Sequence, residues 1–149
     1  MSEEVSARDS EQGSYQQKFP GLSSETLESY TRKIKATGLI GKFDECLRLC
    51  RKATSLGFEK NEFIQMEAEF LVLTNQLDEA NHILERILKE NPRDANAIYV
   101  LGMIFYYRGN LKKSVEVFND ALEIDSSMNH IEKMKEKANR LIKVFDESE

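Results

Sequence analysis

The sequence predicts an all-α fold: a helical-hairpin solenoid of three repeats closed by a C-terminal capping helix. Three observations carry this. Residues recur at an offset of 34: Cys46, Ala80 and Ser114 are small, each lies three places after an apolar residue (Phe43, Leu77, Leu111), and each heads an apolar run of helical period. Turn-forming residues punctuate the runs at Gly38, Gly41, Gly57, Asn91-Pro92 and Arg108-Gly109-Asn110. The composition, 40% hydrophobic and 32% charged, is lean for a packed globule and suits a thin array with much surface per residue.

The elements follow in order. Residues 1–24 hold Ser, Glu, Gln, Gly and Pro with scarcely any apolar periodicity, and are expected to be a disordered tail. Pro20-Gly21 followed by Ser23-Ser24-Glu25 reads as a turn and a helix N-cap. Helices are expected over about 25–37, 43–55, 60–74, 77–90, 94–107 and 111–123. Gly57 stops the second, and Pro92 marks a repeat boundary because proline cannot continue a helix and biases its predecessor away from one. Paired, these helices make three repeats over about 27–60, 61–94 and 95–128, within a domain of 25–126. Residues 127–149 hold a more polar helix, about 128–145, with a narrow stripe of Ile131, Met134, Ala138, Leu141, Ile142 and Phe145. One face on the last repeat and one in water is what a terminal cap requires.

The third repeat has the fullest pattern: Ile98, Leu101, Gly102, Phe105, Gly109, Leu111, Ser114, Phe118 and Ala121. Gly102, Ser114 and Ala121 let paired helices approach, and Phe105 and Phe118 fill the space between them. The second gives Ile64, Ala68, Leu71, Leu77, Ala80, Leu84, Ile87 and Pro92. The first gives Tyr30, Ile34, Gly41, Phe43, Cys46, Cys50 and Ala53, with Lys33 where Leu is usual. Three units in unbroken register resemble the tetratricopeptide repeat family, which implies two antiparallel helices per unit and binding to other proteins.

The resemblance extends to a particular group. Residues 30–145 are similar to the middle repeats of a cytosolic co-chaperone family that carries many such repeats and a J domain, most of all DANAIYVLGMIFYYRGNLKKSVEVFNDALEIDSSMNHIEKMKEKANRL. Tyr99, the run Phe105-Tyr106-Tyr107 and the entry Ala95-Asn96-Ala97 carry much of it. The His-Pro-Asp tripeptide of the J domain is absent from this sequence and the repeats are few, so the chain is expected to be a fragment, a splice product or a truncated paralogue.

Several functions are disfavoured. A net charge of −5 argues against nucleic acid and against an anionic membrane surface. No apolar run reaches the roughly 18–20 residues of a spanning helix, and the polar, acidic N-terminus is not a signal peptide. Two cysteines without a disulfide framework point to the cytoplasm, or also the nucleus. Cys46 and Cys50, four apart, could ligate metal, but they hold core positions of the repeat and the two histidines, His82 and His130, have no helical-spacing partner. Glu67, Glu69, Asp78 and Glu79 are expected on solvated faces rather than in an enclosed catalytic cleft. No phosphate loop or hydrolase motif is present. The sequence thus indicates no enzyme, no metal and no cofactor.

The resemblance also allows one exclusion. Clamp-type repeats hold the acidic C-terminal tail of heat-shock chaperones with Lys, Asn and Arg side chains. The matching positions here are Thr31, Lys35, Met66, Asn96 and Val100, and none carries the required residue. A heat-shock chaperone is therefore a candidate partner only by some other contact. In repeat terms the inward face holds Glu28, Thr31, Arg32 and Lys35, then Glu62, Gln65, Met66, Glu69, Val72 and Leu73, then Asn96, Tyr99, Val100, Met103, Tyr106 and Tyr107. The last two groups, from Met66 onward, form the expected partner-binding groove, rich in Met and Tyr. The expected function is non-catalytic binding of a protein or peptide through that groove, in a co-chaperone setting. The alternatives are a scaffold subunit buried in a larger assembly or homo-oligomer, and a repeat module that regulates an attached enzyme; the oligomeric state is left open.

Overall fold

Helix-period apolar runs cut by Gly, Asn and Pro give seven helices among the residues described by the computed structural model, which are 26–58 and 61–148. They are α1 (Leu27–Leu39), α2 (Phe43–Ser55), α3 (Asn61–Leu73), α4 (Leu77–Glu90), α5 (Ala95–Tyr107), α6 (Leu111–Ile124) and α7 (Asn129–Glu147). The expected helices are all found, with ends moved by one or two residues. The expected tail and the expected cap at Ser23-Ser24-Glu25 lie outside the described residues. Thr26 caps α1, its Oγ1 accepting from the Ser29 N–H at 3.2 Å. Asp94 and Asn110 cap α5 and α6 in the same way.

The turn inside each hairpin needs one residue with positive φ. Gly41 (φ 76°), Asn75 (φ 62°) and Gly109 (φ 84°) supply it, 34 residues apart each time. Asn serves in the second hairpin because its short polar side chain tolerates the left-handed region better than most residues do.

Each helix packs on the next, and α3 also touches α5 directly. The second helices α2, α4 and α6 make no comparable contact with one another. The approach of α3 to α5, with the second helices apart, puts the first helices α1, α3 and α5 on the inner side of the array. The end of the array is covered by α7, which lies along α6.

The buried core has two parts. The smaller joins Tyr30, Ile34, Cys46, Leu49, Cys50, Ala53 and Phe63, so it holds the first hairpin against α3. The larger runs from Leu47 through Ala68, Leu71, Ala80 and Leu84 to Tyr99, Phe118, Ala121 and Ile131. Phe70 packs against both, and its ring stacks on Phe43 with centroids 6.2 Å apart. Both cysteines are fully buried. The Cys46 thiol donates to the Ile34 carbonyl at 3.5 Å, and burial pushes the Cys50 thiol up to about 12, so it stays protonated and packs as a small hydrophobe. Among the described residues no three His, Cys, Asp or Glu side chains cluster closely enough to hold a metal ion.

One expectation about the cap needs correction. Ile131 and Ala138 are buried, and Met134, Leu141 and Ile142 are half-buried, but Phe145 is 60% exposed. Phe145 and Ile142 border an open cleft with Gly109, Asn110, Leu111 and Lys112 at the start of α6. The end of α7 stands off from the turn before α6 across this cleft, which leaves the Phe145 ring mostly in solvent.

Candidate partner-binding groove

The inner face is built by α1, α3 and α5, with α7 beside α5 where a fourth first helix would stand. Two contacts place α7 there: the edge of His130 meets the Tyr99 ring (centroids 4.8 Å, interplanar 81°), and Lys137 Nζ lies 5.9 Å above the centre of the Tyr106 ring.

The expected groove residues divide into two sets. Val72, Tyr99, Val100 and Met103 are 0–6% exposed, so they belong to the core and offer a partner no usable surface. The physical reason is the close approach of α3 to α5 together with the descent of α7, which puts the Tyr99 ring between Phe118 and His130. Burial drives the Tyr99 phenol far above its ordinary range, with the nearby Glu69 charge adding to the effect. Met66, Glu69, Leu73, Asn96 and Tyr106 are half-buried, and Tyr107 is 46% exposed. These six line the open surface. The Tyr106 and Tyr107 rings meet edge to face at 5.2 Å.

At the rim where α3 and α5 begin, three polar side chains form a ladder that the sequence did not suggest. Asn96 Nδ2 donates to Gln65 Oε1 (3.0 Å), and Gln65 Nε2 donates to Asp94 Oδ2 (2.5 Å). Asp94 Oδ1 meanwhile accepts from the Ala97 N–H at 3.0 Å as the cap of α5. The Asn96 amide is thus partly committed within the chain.

Glu69 keeps the groove position expected for it but is less solvated than expected. It sits inside the groove, forms no hydrogen bond or ion pair among the described residues, and burial raises its carboxyl above the usual carboxylate range. Its neighbour Glu67 is different, since it accepts from Arg51 Nε (3.2 Å), and Arg51 also reaches Glu79 (3.4 Å) on the outer side. Asp78 is paired with Arg108 at 2.7 Å and stands almost wholly in solvent.

Seven helices, no strand among the described residues, and hairpins repeated in register define a tetratricopeptide-like solenoid. Comparison with solved structures agrees. MamA from Desulfovibrio magneticus RS-1 is similar in fold, with a TM-score of 0.59 and 18% identity over 94% of this chain and 82% of that one. MamA AMB-1 is similar with a TM-score of 0.55 and 14% identity over 97% and 89%. Among curated proteins, the chain is 28% identical over 115 residues to the DnaJ homolog subfamily C member 7 homolog of Schizosaccharomyces pombe (strain 972 / ATCC 24843). The match takes in 76% of this chain and only 24% of that protein, so the chain spans about a quarter of the length of its curated relative. No protein-family model matches the chain. No described helix is long and apolar enough to cross a membrane.

Proposed function

We propose that this chain is a non-catalytic interaction module that binds a protein or peptide in the curved face of α1, α3 and α5. The observation that carries the reading is the open patch of Met66, Glu69, Leu73, Tyr106 and Tyr107 on a rigid inner wall, a mixture of adaptable apolar and aromatic surface of the kind interfaces use. The buried tyrosine and valine behind it fix the wall rather than meet the partner. A co-chaperone setting is the finer part of the proposal, supported by the similarity to the fission-yeast DnaJ homolog. Clamp chemistry is not part of it: Val100 is fully buried and Met66 is apolar.

The test is capture by the full chain compared with Tyr106→Ala/Tyr107→Ala and with a control on the outer side, Arg86→Ala. Aromatic hot spots are worth about 2 kcal/mol or more each, so the groove variant should lose at least tenfold in partner affinity while the control loses none. Equal capture by all three would reject the groove.

A second reading, a scaffold subunit, is favoured by one observation. Leu39 and Ile40 at one end of the array, and Val144 and Phe145 at the other, are exposed between 59% and 90%. Sedimentation separates the two: a monomer supports transient groove binding, and a stable oligomer that Leu39→Ser/Phe145→Ser dissolves supports the scaffold.

A further inference from the structure

The 34-residue register puts Lys35 on α1, Glu69 on α3 and Met103 on α5 at the same place in their helices, one after another along the groove. Their exposures differ. Lys35 is exposed and Glu69 half-buried, neither with a hydrogen bond or ion pair among the described residues. Met103 is covered, and Tyr106, one turn further along α5, presents the surface there. The inner wall therefore reads cation, anion, aromatic.

Glu69 is the informative member. A carboxylate withdrawn from water costs free energy unless an opposite charge or donors compensate it. Its neighbours do the reverse of compensating: Met66 and Leu73 flank it on α3 and the Tyr99 ring lies close by, while the cations of the groove, Arg32 and Lys35 on α1 and Lys137 on α7 above the Tyr106 ring, form no ion pair with it. Glu67, two residues away and on the other side of the same helix, has its arginine; Glu69 has none. The fold holds an uncompensated acid where a ligand would lie.

We infer that the groove selects a partner segment carrying a Lys or Arg side chain that pairs with Glu69, with an acidic residue on the α1 side to meet Lys35. This rests on the groove reading above and names its partner by chemistry. Packed helices stand about 8–10 Å apart, and an extended chain advances about 3.3 Å per residue. Across α3 and α5, which touch, the basic and apolar side chains of an extended partner should therefore fall about three residues apart, with the acid at least as far away on the α1 side. Enclosed beside the tyrosines, a Glu69–cation pair would be screened less than a surface pair, so it would set the register of the bound segment.

The experiment is selection of random nine-residue peptides displayed on phage, against the full chain as wild type, Glu69→Gln and Lys35→Glu. Both variants keep the fold, since Lys35 is exposed and Glu69→Gln removes a buried charge; circular dichroism confirms this before selection. Wild type should enrich peptides with Lys or Arg at one position and an acid three or more residues away. The basic preference should vanish with Glu69→Gln, and the acidic one should turn basic with Lys35→Glu. A peptide enriched on wild type should bind Glu69→Gln about tenfold or more weaker. Enriched peptides without a basic residue, or a basic preference that survives Glu69→Gln, would overturn the inference and leave groove binding standing. If no peptide is enriched on any of the three, the groove reading itself falls, and the inference with it.

Discussion

The ring of Phe118 occupies the space that a side chain on Gly102 would need. An ideal Cβ at Gly102 would lie 2.5 Å from Phe118 Cε1 and 2.6 Å from Cδ1, well inside contact distance. This is where α5 and α6 approach each other, and it is why a glycine stands in the middle of a helix. Gly102→Ala gains about 1 kcal/mol of helix propensity and loses about 1–3 kcal/mol to overpacking. The clash wins, because both nearest atoms belong to a ring that is itself fully buried. Thermal unfolding should show a lower Tm for Gly102→Ala, and Phe118→Leu should cost less in the Gly102→Ala background than in wild type.

Asn75 offers a cleaner backbone test. Its φ of 62° matches the turn glycines 41 and 109, both of which have open space around a would-be Cβ. Asn75→Gly should therefore be neutral or slightly stabilising, while Gly41→Ala and Gly109→Ala should each cost about 1–2 kcal/mol from the left-handed backbone alone. A larger loss for Asn75→Gly than for the two alanine variants in urea unfolding would show that the Asn side chain, not its φ, is what the turn needs.

Glu69 makes a pH prediction with a definite sign. Burial raises its folded-state pKa, so the folded chain holds that proton more tightly than the unfolded chain does. Stability from this group rises as pH falls through the raised value, and the carboxylate's cost is full at neutral pH. Glu69→Gln should melt higher than wild type at pH 7, and the gap should close as pH approaches the ordinary 4.5. The difference between the two proteins is the quantity to follow, because Glu45 and Asp125, whose carboxyls are lowered by Arg48 and Ser127, lose stabilisation over the acid range in both.

The cap can be dissected by exposure. Ile131 is fully buried, so Ile131→Ala should cost about 2–5 kcal/mol. Phe145 borders the open cleft at the start of α6 and is mostly exposed, so Phe145→Ala should change Tm by less than a degree or two. Deleting residues 128–149 uncovers the α6 face and should produce aggregation. Equal effects of Ile131→Ala and Phe145→Ala would mean that the end of α7 is packed in solution.

A peptide ending in Glu-Glu-Val-Asp should show no carboxylate-dependent heat of binding. Micromolar affinity by calorimetry would contradict the absence of a clamp at Thr31, Lys35, Met66, Asn96 and Val100.

The helices were legible because Gly, Asn and Pro mark their ends and because small residues recur at a fixed offset. Gly102 could be read as a point of close approach from its place in the repeat alone. The groove was legible only in part. Register tells which positions face inward, but it does not tell how deep they sit. Tyr99, Val100 and Met103 face inward and are nonetheless buried, because α3, α5 and α7 converge on them, and that depends on curvature and on where the cap descends. Glu69 could be placed in the groove by register, but its burial was missed for the same reason: a glutamate beside Glu67 looks solvated until the wall around it is known. Phe145 was misplaced because helical spacing does not tell how closely the end of α7 approaches the turn before α6.

The division of the core into two parts, joined through Phe70, has a consequence for how the chain breathes. All of the first hairpin's buried residues except Leu47 belong to the smaller cluster, so this hairpin should open before the other two and the amides of α1 and α2 should exchange with solvent before those of α5 and α6. Lys35 rides on that hairpin and Glu69 does not. A ligand touching both residues would hold the hairpin closed, its apparent affinity would include the free energy of closing it, and slowed exchange in α1 would report occupancy of a site one helix away.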